Sequence, residues 1–144
     1  MFFKDEFFYL SNFYPAPVQS WGLTFSCSEA LYMACKSTDP SVREEFAQRA
    51  HTGALAKHMG KTIAIRSDWD EIKLEVMEHV IRKKFRTHPD LAKKLVELDE
   101  EIVEHNRWHD NFWGACTCNR CTYKASHNHL GRILMKIRKE LRES

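Results

Sequence analysis

Nowhere does the sequence stay apolar for the roughly 18–20 positions that a membrane-crossing helix needs. Its first residues, Met1-Phe-Phe-Lys-Asp-Glu6, lack the basic-then-apolar order of a secretion signal. A surplus of charge is missing as well, since 22 Lys and Arg face 20 Asp and Glu for a net of +2. That balance excludes a protein held to nucleic acid by bulk electrostatics, while leaving room for a local basic patch. Five cysteines, an odd number with three crowded together, do not make a disulfide framework. Reduced thiols in a cytoplasm are expected, with no membrane and no obligate protein partner. Internal repeats and low-complexity linkers are absent. At 144 residues, 43% apolar and 29% charged, the chain has the composition of one globular domain, residues 1–144, able to bury a core.

Aromatics crowd the first 25 positions, where short extended pieces are expected near 7–10 and 23–25. Ser11-Asn-Phe-Tyr-Pro-Ala-Pro17 between them is turn chemistry, and Trp21-Gly22 suits the bend of a hairpin. Helices are expected over about 41–50, 53–59 with Thr52 as cap and Gly60 as stop, and about 68–86. Trp69, Ile72, Val76, Met77, Val80 and Ile81 form the core-facing stripe of the last of these. Thr87-His-Pro-Asp90 predicts a further helix with proline just inside its start. A short strand at Ile102-Val103 and a final helix from about Leu130 complete the reading. The class is α+β, helix-dominated, with a small β element.

The stretch Phe25-Ser-Cys-Ser-Glu-Ala-Leu-Tyr-Met-Ala-Cys-Lys36 organises the rest. Ser26 and Glu29 have the S-x-x-E spacing of a capping box. Glu29 and Lys36, seven apart, share one helical face with Tyr32 and Met33 between them. An acid and an amine on a semi-apolar face make a proton-transfer and nucleophile pair. The plainer alternative is that Glu29 only completes the cap and Lys36 only complements the helix C-terminus.

Several pieces, in order along nearly the whole chain, resemble one family. They are Leu10-Ser-Asn-Phe-Tyr-Pro15, Ser28-Glu29 with Lys36, and Leu55-Ala-Lys-His-Met-Gly60. Trp69-Asp70, Val76-Met77, Lys84-Phe85 and His88-Pro-Asp-Leu91 follow. Glu104, Asn106, Trp108, Asp110, Phe112-Trp113-Gly114 and Asn128-His-Leu-Gly131, with Leu134-Met135 and Arg138, close the set. Together they resemble the NADAR (YbiA-like) family. The resemblance implies an N-glycosidase that cuts between ribose C1 and an exocyclic amine. Implied substrates are ADP-ribose on guanine, a role linked to antitoxins, or phosphoribosylamino-pyrimidine intermediates of riboflavin synthesis. It also favours the functional reading of Glu29 and Lys36.

Two routes break such a bond. A carboxylic acid can protonate the leaving nitrogen while a second carboxylate assists water. Alternatively the sugar ring opens and a lysine exchanges with the amine through a Schiff base, which requires a lysine with an accessible neutral form. Lys36 is then the nucleophile, Glu29 the proton shuttle and Asp110 the second carboxylate. Tyr32, Trp69, Trp108 and Trp113 are candidates to flank the base or ribose, with core packing as the competing role. Asn12 and Phe13 in the proline-flanked turn, Gly114, and Asn128 before the last helix complete the expected binding set. For Asn12 an Asx-turn, and for Asn128 a helix cap, are the alternatives. No cofactor is expected for catalysis.

Where members carry a short glycine-rich loop, this chain reads Ala115-Cys-Thr-Cys-Asn-Arg-Cys-Thr-Tyr-Lys-Ala-Ser-His127. Cys116, Cys118 and Cys121 with His127 or His129 form a set suited to structural zinc, against free thiols in a loop. Zinc-deaminase chemistry is excluded because no H-x-E occurs. The expected partner is ADP-ribosylated nucleic acid or a nucleotide-like small molecule. Arg82, Lys83, Lys84 and Arg86, or the basic face of the last helix, would track a phosphate backbone, unless both are ordinary solvated faces. The rival function is a non-catalytic binder of ADP-ribose or a related nucleotide, whose cysteine loop binds nucleic acid.

Overall fold

In the computed structural model, which describes all 144 residues, Trp21 and Gly22 both take positive φ, 54° and 74°. That pair of left-handed residues makes a two-residue hairpin turn whose twist matches the strands it joins. Strands β1 (Val18–Ser20) and β2 (Leu23–Phe25) pair antiparallel across it, with Val18 opposite Phe25. The chain falls into two compact units, one of residues Asn12–His88 and one of Met1–Ser11 with Pro89–Ser144.

The first unit holds the hairpin and helices α1 (Ser28–Ala34), α2 (Pro40–Arg49), α3 (Gly53–Met59) and α4 (Trp69–Thr87). Every residue of α1 is buried, because α2, α3, α4 and the hairpin all pack around it. Asp39 caps α2 by accepting from the Ser41 N–H, and Pro40 stands at the first turn, where its missing donor costs nothing. Thr52 caps α3 as expected, its hydroxyl accepting from Leu55 N at 3.1 Å. Gly60 ends α3 without left-handed backbone; a Cβ there would lie 2.5 Å from Met33 Sδ, so glycine lets α3 approach α1. The stripe of α4 buries Trp69, Met77, Val80 and Ile81, with Ile72 and Val76 half-covered.

The second unit pairs α5 (Pro89–Glu97) with α6 (His129–Glu143) through Leu91 and Leu95 on one helix and Leu130, Ile133, Leu134 and Ile137 on the other. Strands β3 (His105–Asn106) and β4 (Ala115–Cys116) run parallel beside a loop of aromatics. No helix is long and apolar enough to cross a membrane.

The expected class, α+β dominated by helix, is what forms, but three local expectations give way. Residues 7–10 belong to a 3₁₀ helix, Asp5–Leu10, with bonds from Phe7 N to Lys4 O and Ser11 N to Phe8 O. Four consecutive apolar residues there carry no alternation to favour a strand. Ile102 is fully buried, but the short strand begins at His105. Thr87 closes α4 instead of opening the next helix, while Pro89 stands at the first position of α5 as expected.

Candidate active site

The capping box does not form. Ser26 gives its hydroxyl proton to Ala50 O at 2.6 Å, and α1 begins two residues later. The start of α1 is held by Asn12 instead. Its carbonyl accepts from Glu29 N at 3.0 Å and its side-chain oxygen from the Ser28 hydroxyl at 2.9 Å. The Asn12 amide then donates to Met77 Sδ at 3.3 Å, tying α1 to α4. Asn12 thus joins the turn at 11–17 to the site helix, and Glu29 has no part in capping it. Phe13 stands partly exposed with its ring against Gly53, where a Cβ would come within 2.7 Å.

Glu29 is 8% exposed, and burial pushes its carboxyl up to about 7 against the pull of Lys57 and Lys36. Lys36 lies two residues past the end of α1 in a continuing turn, its N–H on Met33 O. Burial lowers its pKa; Glu29 opposes this, while the neighbouring charges of Lys57 and Lys73 reinforce it. The two groups are therefore each drawn toward neutrality, by the same desolvation acting on opposite charges. Trp69 brackets the amine, with Lys36 Nζ 5.9 Å from its ring centroid, and the Tyr32 ring lies 5.1 Å from that of Trp69. Arg66 N donates to Lys36 O at 2.8 Å, fastening the loop before α4 onto this corner.

Asn12, Glu29, Tyr32, Lys36 and Trp69 are thus brought into one connected group within the first unit. Reading the sequence one helix at a time missed Lys57, whose charge reaches both groups from α3, and Lys73, whose charge reaches Lys36 from α4. Lys57 was visible only as part of Leu55-Ala-Lys-His-Met-Gly60. An open groove of about 480 Å³ lined by Ser37, Glu45, Arg49, His58 and Ile63 contains none of the expected site residues.

Asp110, Trp108, Trp113, Gly114 and Asn128 belong to the second unit. Asp110 Oδ1 accepts from Phe112 N at 3.1 Å and Trp113 N at 2.9 Å, an anchor for the aromatic loop. Asn106, which the sequence offered only as one residue of the family resemblance, is fully buried and acts as the keystone. Its side chain accepts from Trp108 N and Asp110 N and donates to Asp110 O. Trp113 packs edge-on against Phe112 at 4.8 Å, whereas Trp108 is 63% exposed. A Cβ at Gly114 would meet Glu104 O at 2.2 Å, so close backbone packing already demands this glycine. Asn128, in left-handed backbone, neither caps α6 with its side chain nor leaves its amide idle. The amide donates to Ile102 O and accepts from Glu104 N, both at 3.0 Å.

The metal set needs one correction. His127 stacks on His129, rings 5.4 Å apart, and the fourth donor beside the cysteines is His109. His109 Nδ1 lies 3.8, 3.2 and 3.4 Å from the sulfurs of Cys116, Cys118 and Cys121. The four donor atoms all fall within 4.8 Å of one another, a cluster able to hold a metal ion. The missed histidine lies upstream, in a turn that sequence spacing cannot bring back onto the cysteines.

Individual members of both basic faces are engaged within the protein. Lys84 is only 1% exposed, its ammonium among the rings of Tyr14 and Phe85, and burial lowers its pKa to about 7. Lys83 reaches Gln19 O and Arg82 pairs with Glu78. On α6, Arg138 donates to Leu98 O and Glu100 O, and Arg142 to Val96 O and Leu98 O. These arginines satisfy the carbonyl of Val96, in the last turn of α5 where helix geometry leaves it without a partner, and two carbonyls of the chain that follows.

The NADAR domain family matches residues 1–142. The N-glycosidase Npun_R5314 of Nostoc punctiforme is 34% identical over 137 residues, covering 92% of this chain and 84% of that protein. The riboflavin biosynthesis protein VVA0006 of Vibrio vulnificus is 36% identical over 138 residues, 94% of this chain but 36% of that longer protein. The NMR structure of the E. coli protein YbiA superimposes with a TM-score of 0.81 at 30% identity, covering 97% of this chain and 81% of that one.

Proposed function

The chain belongs to the NADAR family, and we propose that it is an N-glycosidase, a hydrolase that cleaves the bond between ribose C1 and an amine of a base. One observation carries the proposal: Glu29 and Lys36 sit at one corner, both displaced toward their neutral forms, beside an aromatic wall of Tyr32 and Trp69. Proton transfer to and from a nitrogen nucleophile needs a carboxyl and an amine that interact and whose neutral forms are accessible.

In the reaction, the ribose C1–O4′ bond breaks, its electron pair going to oxygen, which takes the proton of the Glu29 carboxyl and leaves it a carboxylate, while the base nitrogen forms an iminium with C1. Neutral Lys36 Nζ adds to C1. Glu29 carries a proton from the new ammonium to the base nitrogen, whose bond to C1 then breaks. The amine leaves, and a Schiff base remains on Lys36. Water adds to C1, the lysine departs, and the net change is one water consumed, with the free sugar and free amine formed. Glu29 alternates as base and acid, which suits a carboxyl poised near neutrality. Trp69, backed by Tyr32, gives the amine an apolar wall that helps keep water away. The reaction as written uses no metal, and the donor cluster at His109 has a structural part, suited to zinc.

The proposed substrate is ADP-ribose attached to a guanine amine in nucleic acid. Ribosylated aminopyrimidines of riboflavin synthesis are the second reading, favoured by the name of the Vibrio vulnificus relative. The test is incubation of the purified protein with each substrate, with borohydride in a parallel sample. Sugar release with a reduced adduct on Lys36 supports the Schiff-base route, and the substrate that turns over decides between the two readings. Binding without release from either substrate would replace the enzyme by a nucleotide-binding module.

A further inference from the structure

We propose that His109 Nδ1 and the thiolates of Cys116, Cys118 and Cys121 bind one zinc ion, and that this ion fastens the turn at 107–111 to the loop at 116–121. The distances between the donor atoms match a tetrahedral site. With Zn–S near 2.3 Å and Zn–N near 2.05 Å at a tetrahedral angle, each nitrogen–sulfur edge is about 3.6 Å. The three edges here are 3.2, 3.4 and 3.8 Å, scattered around that value. Three sulfurs around one imidazole nitrogen are the soft and borderline donors that favour zinc over calcium or magnesium. Four protein ligands fill a tetrahedron and leave no open position for substrate, so the site is structural.

The surroundings are built for it. Asn111 Oδ1 accepts from Cys116 N at 2.9 Å, and Cys118 N points at Cys116 Sγ from 3.5 Å, in the manner of N–H groups that support a bound thiolate. His109 holds positive φ, 68°, an unfavourable conformation for a residue with a side chain, and the ion would lock it. From 117 to 127 the chain has only one 3₁₀ turn, Asn119–Cys121, and only Cys121 is buried, so a core cannot hold it. One contact must change. Arg120 Nη2 lies 2.7 Å from His109 Nε2. A neutral ring bound through Nδ1 carries its proton on Nε2, so the donor Arg120 must swing away when zinc binds.

The experiment measures metal in the full-length protein purified without chelator, by plasma mass spectrometry and native mass spectrometry, followed by replacement with Co²⁺. One zinc per chain and the intense thiolate-to-cobalt absorption of a tetrahedral site are expected. His109→Ala and Cys118→Ser should each weaken zinc at least tenfold in competition with a chromogenic chelator, while His127→Ala keeps wild-type affinity. Native mass spectrometry of the unmodified chain stands even if a cysteine variant misfolds. Absence of both zinc and the cobalt band, or a disulfide among the three cysteines in protein kept under reducing conditions, would overturn the site. Loss of zinc in His127→Ala with retention in His109→Ala would overturn the ligand set. None of these readouts depends on glycosidase activity.

Discussion

The corner around α1 and the loop at 107–121 gather polar groups by opposite means. At α1 the fold supplies burial: every helix residue is covered, and the carboxyl and amine are shifted because water has been removed from around them. In the loop little is buried, and order comes from directional contacts, with Asn106 and Asp110 holding backbone N–H groups and four soft donors converging on one point. Desolvation makes groups reactive at a cost in stability, whereas convergent donors give rigidity to a segment too small for a core. The first arrangement suits a reaction and the second a scaffold.

The sharpest way to break that contrast is Lys36→Ala. If the shifted lysine is the nucleophile, turnover falls by roughly a thousandfold or more while substrate binding changes little. Single-turnover assays with a binding isotherm measure both. Turnover within tenfold of wild type would reduce the buried corner to a packing feature.

Glu29→Gln comes next, because it separates rate from stability. The folded carboxyl titrates near 7 and an ordinary one near 4.5, so folding favours the protonated acid. That contribution is complete below pH 4.5 and is lost as pH rises through 7, amounting to about 3 kcal/mol over the window. The glutamine variant should therefore be more stable than wild type at pH 8 by up to about 3 kcal/mol, equally stable at pH 4, and slower by about a hundredfold. Urea melts at the two pH values measure the first two outcomes. A variant less stable at pH 8 would mean that the carboxylate is held by partners rather than stranded by burial.

A backbone test probes the segments that flank the loop at 107–121. At Gly131 a Cβ would lie 2.2 Å from Ile102 O and about as close to the Asn128 amide. Gly131→Ala should cost about 2–3 kcal/mol, since neither the backbone carbonyl nor the twice-bonded amide can move freely. Thermal melts give the number, and a loss below 0.5 kcal/mol would show that the 102–104 segment is not clamped.

Much of this was legible in the sequence, for local reasons. The hairpin at Trp21-Gly22, the Thr52 cap and the apolar faces of α4 and α6 follow from spacing and turn chemistry within a few residues. Glu29 and Lys36 were found because seven positions bring them to one side, though the S-x-x-E motif that drew attention to them does not cap. Whether such a motif caps depends on where the preceding chain goes, and here Ser26 turns to Ala50 while Asn12 takes its place. The misread residues share one cause. Lys84 looked solvated until α4 packed, Arg138 and Arg142 looked like a basic stripe until α5 offered them carbonyls, and His109 met its cysteines only through the fold of the loop. A charged or ligating side chain is decided by its partner, and those partners lie far along the chain.

Lys57 gives the smallest and most discriminating test, because it reaches the α1 corner by charge alone. It holds down the Glu29 carboxyl and the Lys36 amine together. Lys57→Met removes that charge, so both groups should titrate at higher pH. If the reaction needs Lys36 neutral and Glu29 protonated, both limbs of the pH–rate profile move to the alkaline side, and the optimal rate changes only a few-fold. Movement of one limb alone would mean that only one member of the pair titrates in the rate-determining step. A loss of rate with no movement in pH would make Lys57 a substrate contact, and the balance at this corner would then owe less to the lysines around it than to burial.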